Sequence, residues 1–139
     1  MMRRAYIAFG ANLGTPRAML MDVVGALAGE GVVVDDVSGL YRSEAWPAGS
    51  GAPEYRNAVL SVRAERSPED LMSLLLDVER RLGRVRSEPN APRLVDLDLI
   101  DVPGVRMATE HLVLPHPRAA ERDFVMLPLR EVAPGHVLS

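Results

Sequence analysis

Asp96 and Asp98 stand two residues apart in an otherwise apolar run, Leu94-Val95-Asp96-Leu97-Asp98-Leu99-Ile100. A strand turns successive side chains to opposite faces, so both carboxylates project from one face. Their Cα atoms then lie about 7 Å apart, from a rise of roughly 3.3 Å per residue. Leu97 and Leu99 point the other way, into a core. Two like charges on one rigid ledge ask for a cation. Hard oxygen donors suit Mg²⁺, above all when substrate phosphates complete its shell. Just upstream, Glu79-Arg80-Arg81-Leu82-Gly83-Arg84-Val85-Arg86 and then Arg93 bring guanidiniums toward the same ledge. Guanidiniums beside a carboxylate pair match the needs of a polyphosphate–Mg²⁺ complex.

The remaining composition works mostly by exclusion. All 16 basic residues are arginine, which removes a P-loop lysine and a Schiff-base lysine. With no cysteine, disulfides, thiol catalysis and thiolate metal sites are excluded. The histidines are scattered without zinc spacing. A net charge of −3 and an aromatic content of 4% argue against a nucleic-acid surface. No apolar run approaches the roughly 20 residues of a membrane span. The start of the chain reads as a strand, not a signal peptide. A single domain over residues 1–139, acting in the cytoplasm as a monomer away from membrane and nucleic acid, is the expectation.

The elements that must hold these residues follow from pattern. Ala5–Phe9 reads as a buried first strand, and Gly10-Ala11-Asn12-Leu13-Gly14 as a turn with residues suited to positive φ. Thr15 and Pro16 are a cap and first position for a helix that ends near Gly29 or Gly31. Val32–Val34 opens a second strand region reaching Arg42. Residues 46–53 have the composition of a loop. From Tyr55 to Arg63 the chain alternates, with Tyr55, Asn57, Val59 and Ser61 on one face and Ala58, Leu60 and Val62 on the other. Asparagine is depleted in strands, so Asn57 points to a specific polar task. Ser67 with Asp70 starts a second helix whose stripe is Leu71, Leu74, Leu75, Val78 and Leu82. The aspartate strand spans 94–101, Val102–Val105 is a turn, and 117–133 is partly helical. The order β-α-β-β-α-β predicts an α+β fold, a ferredoxin-like antiparallel sheet with helices packed mainly on one face.

Six segments, in this order, resemble the 6-hydroxymethyl-7,8-dihydropterin pyrophosphokinases of folate biosynthesis. They are Ala5–Gly14, Leu40-Tyr41-Arg42-Ser43, Tyr55-Arg56-Asn57-Ala58-Val59, Gly83-Arg84-Val85-Arg86, Pro92–Asp98, and Pro115-His116 through Arg122 and Phe124. The resemblance implies transfer of pyrophosphate from ATP to the pterin hydroxymethyl group with release of AMP. It implies that Asp96 and Asp98 bind two Mg²⁺ ions arriving with ATP. It makes Arg84, Arg93, Asp96 and Asp98 the catalytic set. Glu79, Arg84, Arg86, Arg93, Leu99, His116 and Arg122 match ATP-binding positions. Ser43, Tyr55, Asn57, Asp96 and Phe124 match the pterin pocket. The usual family tryptophan is absent from Ser87–Pro92, so Trp46, in the other loop, is expected to help cover the pterin.

Two other classes fit parts of the pattern. A ferredoxin-like ligand-binding or regulatory module could keep the fold without the reaction, and the altered 87–92 segment suits it. A nucleic-acid-binding domain on the same sheet would need exposed strand aromatics and a basic face. On residue type alone, the arginines are also ordinary surface ion-pair partners, Tyr55 and Phe124 ordinary core, and His111, His116 and His136 ordinary loop residues.

Overall fold

The computed structural model describes residues 1–12, 15–44, 54–83 and 95–138. Strand β1 (Arg3–Ala11) is followed by helix α1 (Pro16–Gly29), β2 (Val33–Val37), β3 (Tyr41–Ser43), β4 (Tyr55–Ala64), α2 (Pro68–Gly83) and β5 (Asp96–Asp101). A short hairpin, β6 (Met107–Ala108) and β7 (Val113–Leu114), leads through a 3-10 turn at Ala119–Glu121 to α3 (Asp123–Val132). The main sheet runs β2-β4-β1-β5, with β3 also pairing β4. All its pairings are antiparallel. With β3 set aside, this is the predicted ferredoxin-like order.

Alternation builds both faces. Ala5, Ile7, Phe9 and Ala11 of β1, Ala58, Leu60 and Val62 of β4, and Leu97 and Leu99 of β5 form one core with Leu20, Val23 and Leu27 of α1 and Leu71, Leu74, Leu75 and Val78 of α2. The opposite face buries Tyr6, Val59 and Ile100 against Val125 and Leu129 of α3. Thus α1 and α2 share one face, while α3, with Ala119 of the 3-10 turn, packs on the other. Among the described residues, no helix is long and apolar enough to cross a membrane.

Local chemistry sets the ends of these elements. Gly31, at φ +85°, closes α1 by letting Val32 N–H reach Leu27 C=O and Gly31 N–H reach Ala28 C=O. Ser67 Oγ accepts Asp70 N–H at 3.1 Å and caps α2 as expected. Thr15 holds the cap position of α1, but its hydroxyl makes no cap bond.

Two expectations change. Gly10 and Ala11 continue β1 and are not part of a turn. The second strand region breaks at Ser38, whose N–H reaches Val59 C=O while its hydroxyl accepts Val59 N–H at 2.9 Å. A side-chain oxygen thus replaces a ladder carbonyl, and the chain kinks into β2 and β3.

Candidate active site

A cleft of about 770 Å³ is lined by residues of the sheet, of α2 and of α3. Its floor is a row of ladder partners. Gly10 lies between Asn57 of β4 and Asp96 of β5, and Ala8 between Val59 and Asp98. Neighbouring strands set such partners about 4.5–5.5 Å apart. The small residues Ala8 and Gly10 leave the space above them open. A Cβ on Gly10 would meet Asn57 Oδ1 at 3.4 Å and Tyr55 Cδ1 at 3.9 Å, and any longer side chain would fill the floor.

Asp96 and Asp98 share the cleft face of β5, as their spacing required, and both line the cleft. The strand that carries them is outermost in the sheet, and other elements pin its outer edge. Glu79 of α2 accepts Leu97 N–H at 2.6 Å, between the two aspartates. Ile100 C=O accepts His116 N–H at 2.7 Å, which docks the histidine beside the ledge.

His116, Arg118 and Arg122 line the same cleft as the aspartates. Burial pushes the His116 ring below its ordinary pKa of 6.5; Asp98 opposes this, and Arg122 and Arg118 add to it. Its Nδ1 accepts Arg118 N–H at 3.3 Å, which leaves the neutral ring's proton on Nε2. The Arg122 guanidinium lies 5.6 Å from the centre of the Phe124 ring. A carboxylate pair thus shares one cavity with cationic donors, an arrangement that can hold a metal-bound polyanion.

Ser43, Tyr55, Asn57 and Phe124 line the same cleft. Asn57 Nδ2 donates to Tyr41 C=O at 3.0 Å and to Ser43 Oγ at 2.8 Å. Two half-buried aromatic rings, Tyr55 and Phe124, and an oriented amide thus line one cavity, a set of groups suited to a flat, polar-edged ring.

A family model described as 7,8-dihydro-6-hydroxymethylpterin-pyrophosphokinase matches residues 6–134. The chain belongs to this family. The 2-amino-4-hydroxy-6-hydroxymethyldihydropteridine pyrophosphokinase of Methylorubrum extorquens is 38% identical over 138 residues, covering 99% of this chain and 87% of that protein. The protein of the same name from Synechocystis is 37% identical, covering 96% of the chain and 68% of the relative. That of Bacillus subtilis is 35% identical, with 92% and 77% covered.

In this pyrophosphokinase the cleft gathers Ser43, Tyr55, Asn57, Glu79, Asp96, Asp98, His116, Arg122 and Phe124, all expected at the site. Leu99 is not among the lining residues. Its side chain is 1% exposed, in the core. Arg84, Arg86, Arg93 and Trp46 lie outside the described residues. Sequence reading missed Arg118, Met72 and Leu76, which also line the cleft. A signal existed for the last two: Met72, Leu76 and Glu79 follow i, i+4, i+7 and form a second stripe on α2 beside the core stripe. His136, by residue type an ordinary loop histidine, has specific partners. Its Nε2 lies 2.7 Å from the buried Asp101, and its ring packs on Tyr6 with centroids 4.7 Å apart.

Proposed function

We propose that this pyrophosphokinase of folate biosynthesis uses the cleft to move pyrophosphate from ATP to the hydroxymethyl group of 6-hydroxymethyl-7,8-dihydropterin, releasing AMP. The observation that carries the reading is the Asp96–Asp98 ledge sharing one cavity with His116, Arg118 and Arg122. The pterin oxygen attacks the β-phosphorus of ATP, and the bond from that phosphorus to the oxygen shared with the α-phosphate breaks. That oxygen leaves on AMP, and the hydroxyl proton passes to water.

The donor set suits magnesium. Two carboxylates on one strand face supply hard oxygens but leave most of an octahedral shell to phosphate and water, which is how this ion is usually held. Asp96 and Asp98 would hold it, with two ions arriving on ATP. When bound, Mg²⁺ offsets charge on the triphosphate. The rest of the task belongs to this chain's residues. His116, through Nε2–H, and Arg122 hold phosphate oxygens, joined by Arg84, Arg86 and Arg93. Glu79 and the backbone of Leu99 lie toward the nucleotide. Tyr55 and Phe124 hold the pterin ring while Asn57 and Ser43 read its edge, and Trp46 helps close over it. Such chemistry needs alignment and charge neutralisation more than covalent help. The reading takes the enzyme as a cytoplasmic monomer that binds neither membrane nor nucleic acid; the net charge of −3 supports the last point.

The test is direct. Purified protein with ATP, Mg²⁺ and 6-hydroxymethyl-7,8-dihydropterin should yield AMP and pterin pyrophosphate in equal amounts. AMP formed without pterin, or ADP in place of AMP, would overturn the reading.

A further inference from the structure

Glu131, in the last turn of α3, is exposed and does not line the cleft. Its carboxylate nevertheless takes donors from a distant element. Gly39 N–H reaches its two oxygens at 3.0 and 3.2 Å, and Tyr41 OH donates at 2.7 Å. Both donors sit at the joint where the chain leaves β2 and enters β3.

Strand β3 is only 3 residues long and pairs with β4 alone. Few ladder bonds fix it, yet its atoms set the Asn57 amide. Tyr41 C=O can only accept, so the Asn57 NH₂ must face it, and Ser43 Oγ takes the second hydrogen. With both hydrogens engaged, Asn57 has its Oδ1 acceptor left for a ligand. If β3 drifts, the amide loses a partner and can turn over, offering a donor where an acceptor stood.

We propose that Glu131 is a positioning residue for pterin recognition, holding β3 in the place that keeps the Asn57 amide oxygen toward the cleft. This rests on the assignment of Asn57 to the pterin pocket. The carboxylate itself does not line the cleft, and the strand it holds borders the pterin side, so its effect falls on the pterin and not on ATP. Tyr41 carries a mark of the same contact: the Glu131 carboxylate, as hydrogen-bond acceptor, holds its phenol above the ordinary tyrosine range.

The test measures pterin and ATP affinity separately in the full chain. In E131A the pterin Kd should rise about three- to tenfold, the scale of one hydrogen bond, with ATP Kd within about twofold of wild type. E131Q should recover most of the loss, because its amide oxygen can accept Gly39 N–H while its NH₂ donates to the Tyr41 oxygen. Y41F, which removes one contact, should fall between. Absorbance titration should show a late-ionising tyrosine in the wild type that moves back in E131Q. Unchanged pterin affinity in E131A, equal losses for both substrates, or no late-ionising tyrosine would overturn the proposal. If E131A does not fold, the same split between substrates in Y41F and E131Q decides. Asn57→Ala separates the two levels. Unchanged pterin binding there refutes the pocket assignment, whereas a loss there with none in the Glu131 variants refutes only the role of Glu131.

Discussion

Glu79 allows a test of what holds the aspartate ledge in place. Its Oε2 accepts Leu97 N–H at 2.6 Å, and Leu97 is buried at 1% exposure on the outermost strand. In Glu79→Ala that amide loses its acceptor where water has poor access. A hydrogen bond to a charged group contributes about 1.5–3 kcal/mol, and a buried donor left unmet costs about 1–3 kcal/mol. These are two views of one quantity, so the expected loss is about 2–3 kcal/mol. For a domain of this size, each kcal/mol moves Tm by roughly 3–5 °C, so Tm should fall by about 6–15 °C. Glu79→Gln keeps an oxygen acceptor and loses only its charge, which should cost about 1 kcal/mol. Because the bond lies between Asp96 and Asp98, turnover measured well below Tm should also fall further in Ala than in Gln. Calorimetry and AMP release together decide. If Glu79 served the nucleotide and not the strand, Glu79→Ala would raise the KM for ATP with Tm unchanged. That result, or Gln as damaging as Ala, would refute the brace.

Three further outcomes follow from the same geometry. Asp98→Asn keeps shape and removes one charge from the ledge; turnover should fall about 10²–10³-fold, and normal AMP release at ordinary Mg²⁺ would contradict the metal role. His116 should titrate below 6.5 by proton NMR, because burial outweighs the pull of Asp98, and Asp98→Asn should lower its midpoint further. Its folded pKa is depressed, so the unfolded chain takes the proton first. Stability is then lost as pH falls through 6.5, and His116→Gln should flatten that slope. Asp35 is held at about 2, below its ordinary 3.8, chiefly by its hydrogen bond from Arg63 and also by Arg4. Its contribution is complete above 3.8 and disappears toward 2, so Asp35→Asn should flatten acid unfolding in that window, less so at high salt.

What the sequence revealed was local, and what it hid was contact between distant segments. The alternation at Tyr55–Arg63 depends on neighbours along one strand, and it placed Asn57 and Val59 on the cleft face correctly. Ser67 acts on an amide three residues away, so its cap was readable. Gly10 was misread because glycine suggests a turn, while its small size serves Asn57 and Tyr55 across the ladder. Ser38 looked like any strand residue, and its hydroxyl interrupts a ladder with Val59 that no local pattern displays. Strand parity sends the Leu99 side chain to the core, as the alternation along β5 predicts. Spacing alone put Asp96 and Asp98 on one face; that Glu79 accepts the amide between them needed the fold.

Why the cleft exists at all is a matter of lengths. The face bearing Tyr6, Ala8, Gly10, Val59, Asn57, Asp96, Asp98 and Ile100 is continuous across three strands. Strand β4 has 10 residues and α3 also has 10. A strand that long extends about 33 Å, whereas the helix extends about 15 Å. Helix α3 can therefore span at most about half of that length, and it packs on Tyr6, Val59 and Ile100. In the uncovered half the sequence places glycine, asparagine and aspartate where the same alternation would otherwise demand apolar side chains. A sheet face that α1 and α2 leave open, capped by a helix too short to close it, yields both the greasy anchor and the polar pocket from one alternating pattern. Lengthening α3 at its N-terminus by a turn should fill the pocket at Phe124 and abolish pterin binding while raising Tm. A longer helix that left binding intact would show that the cleft is not set by this mismatch.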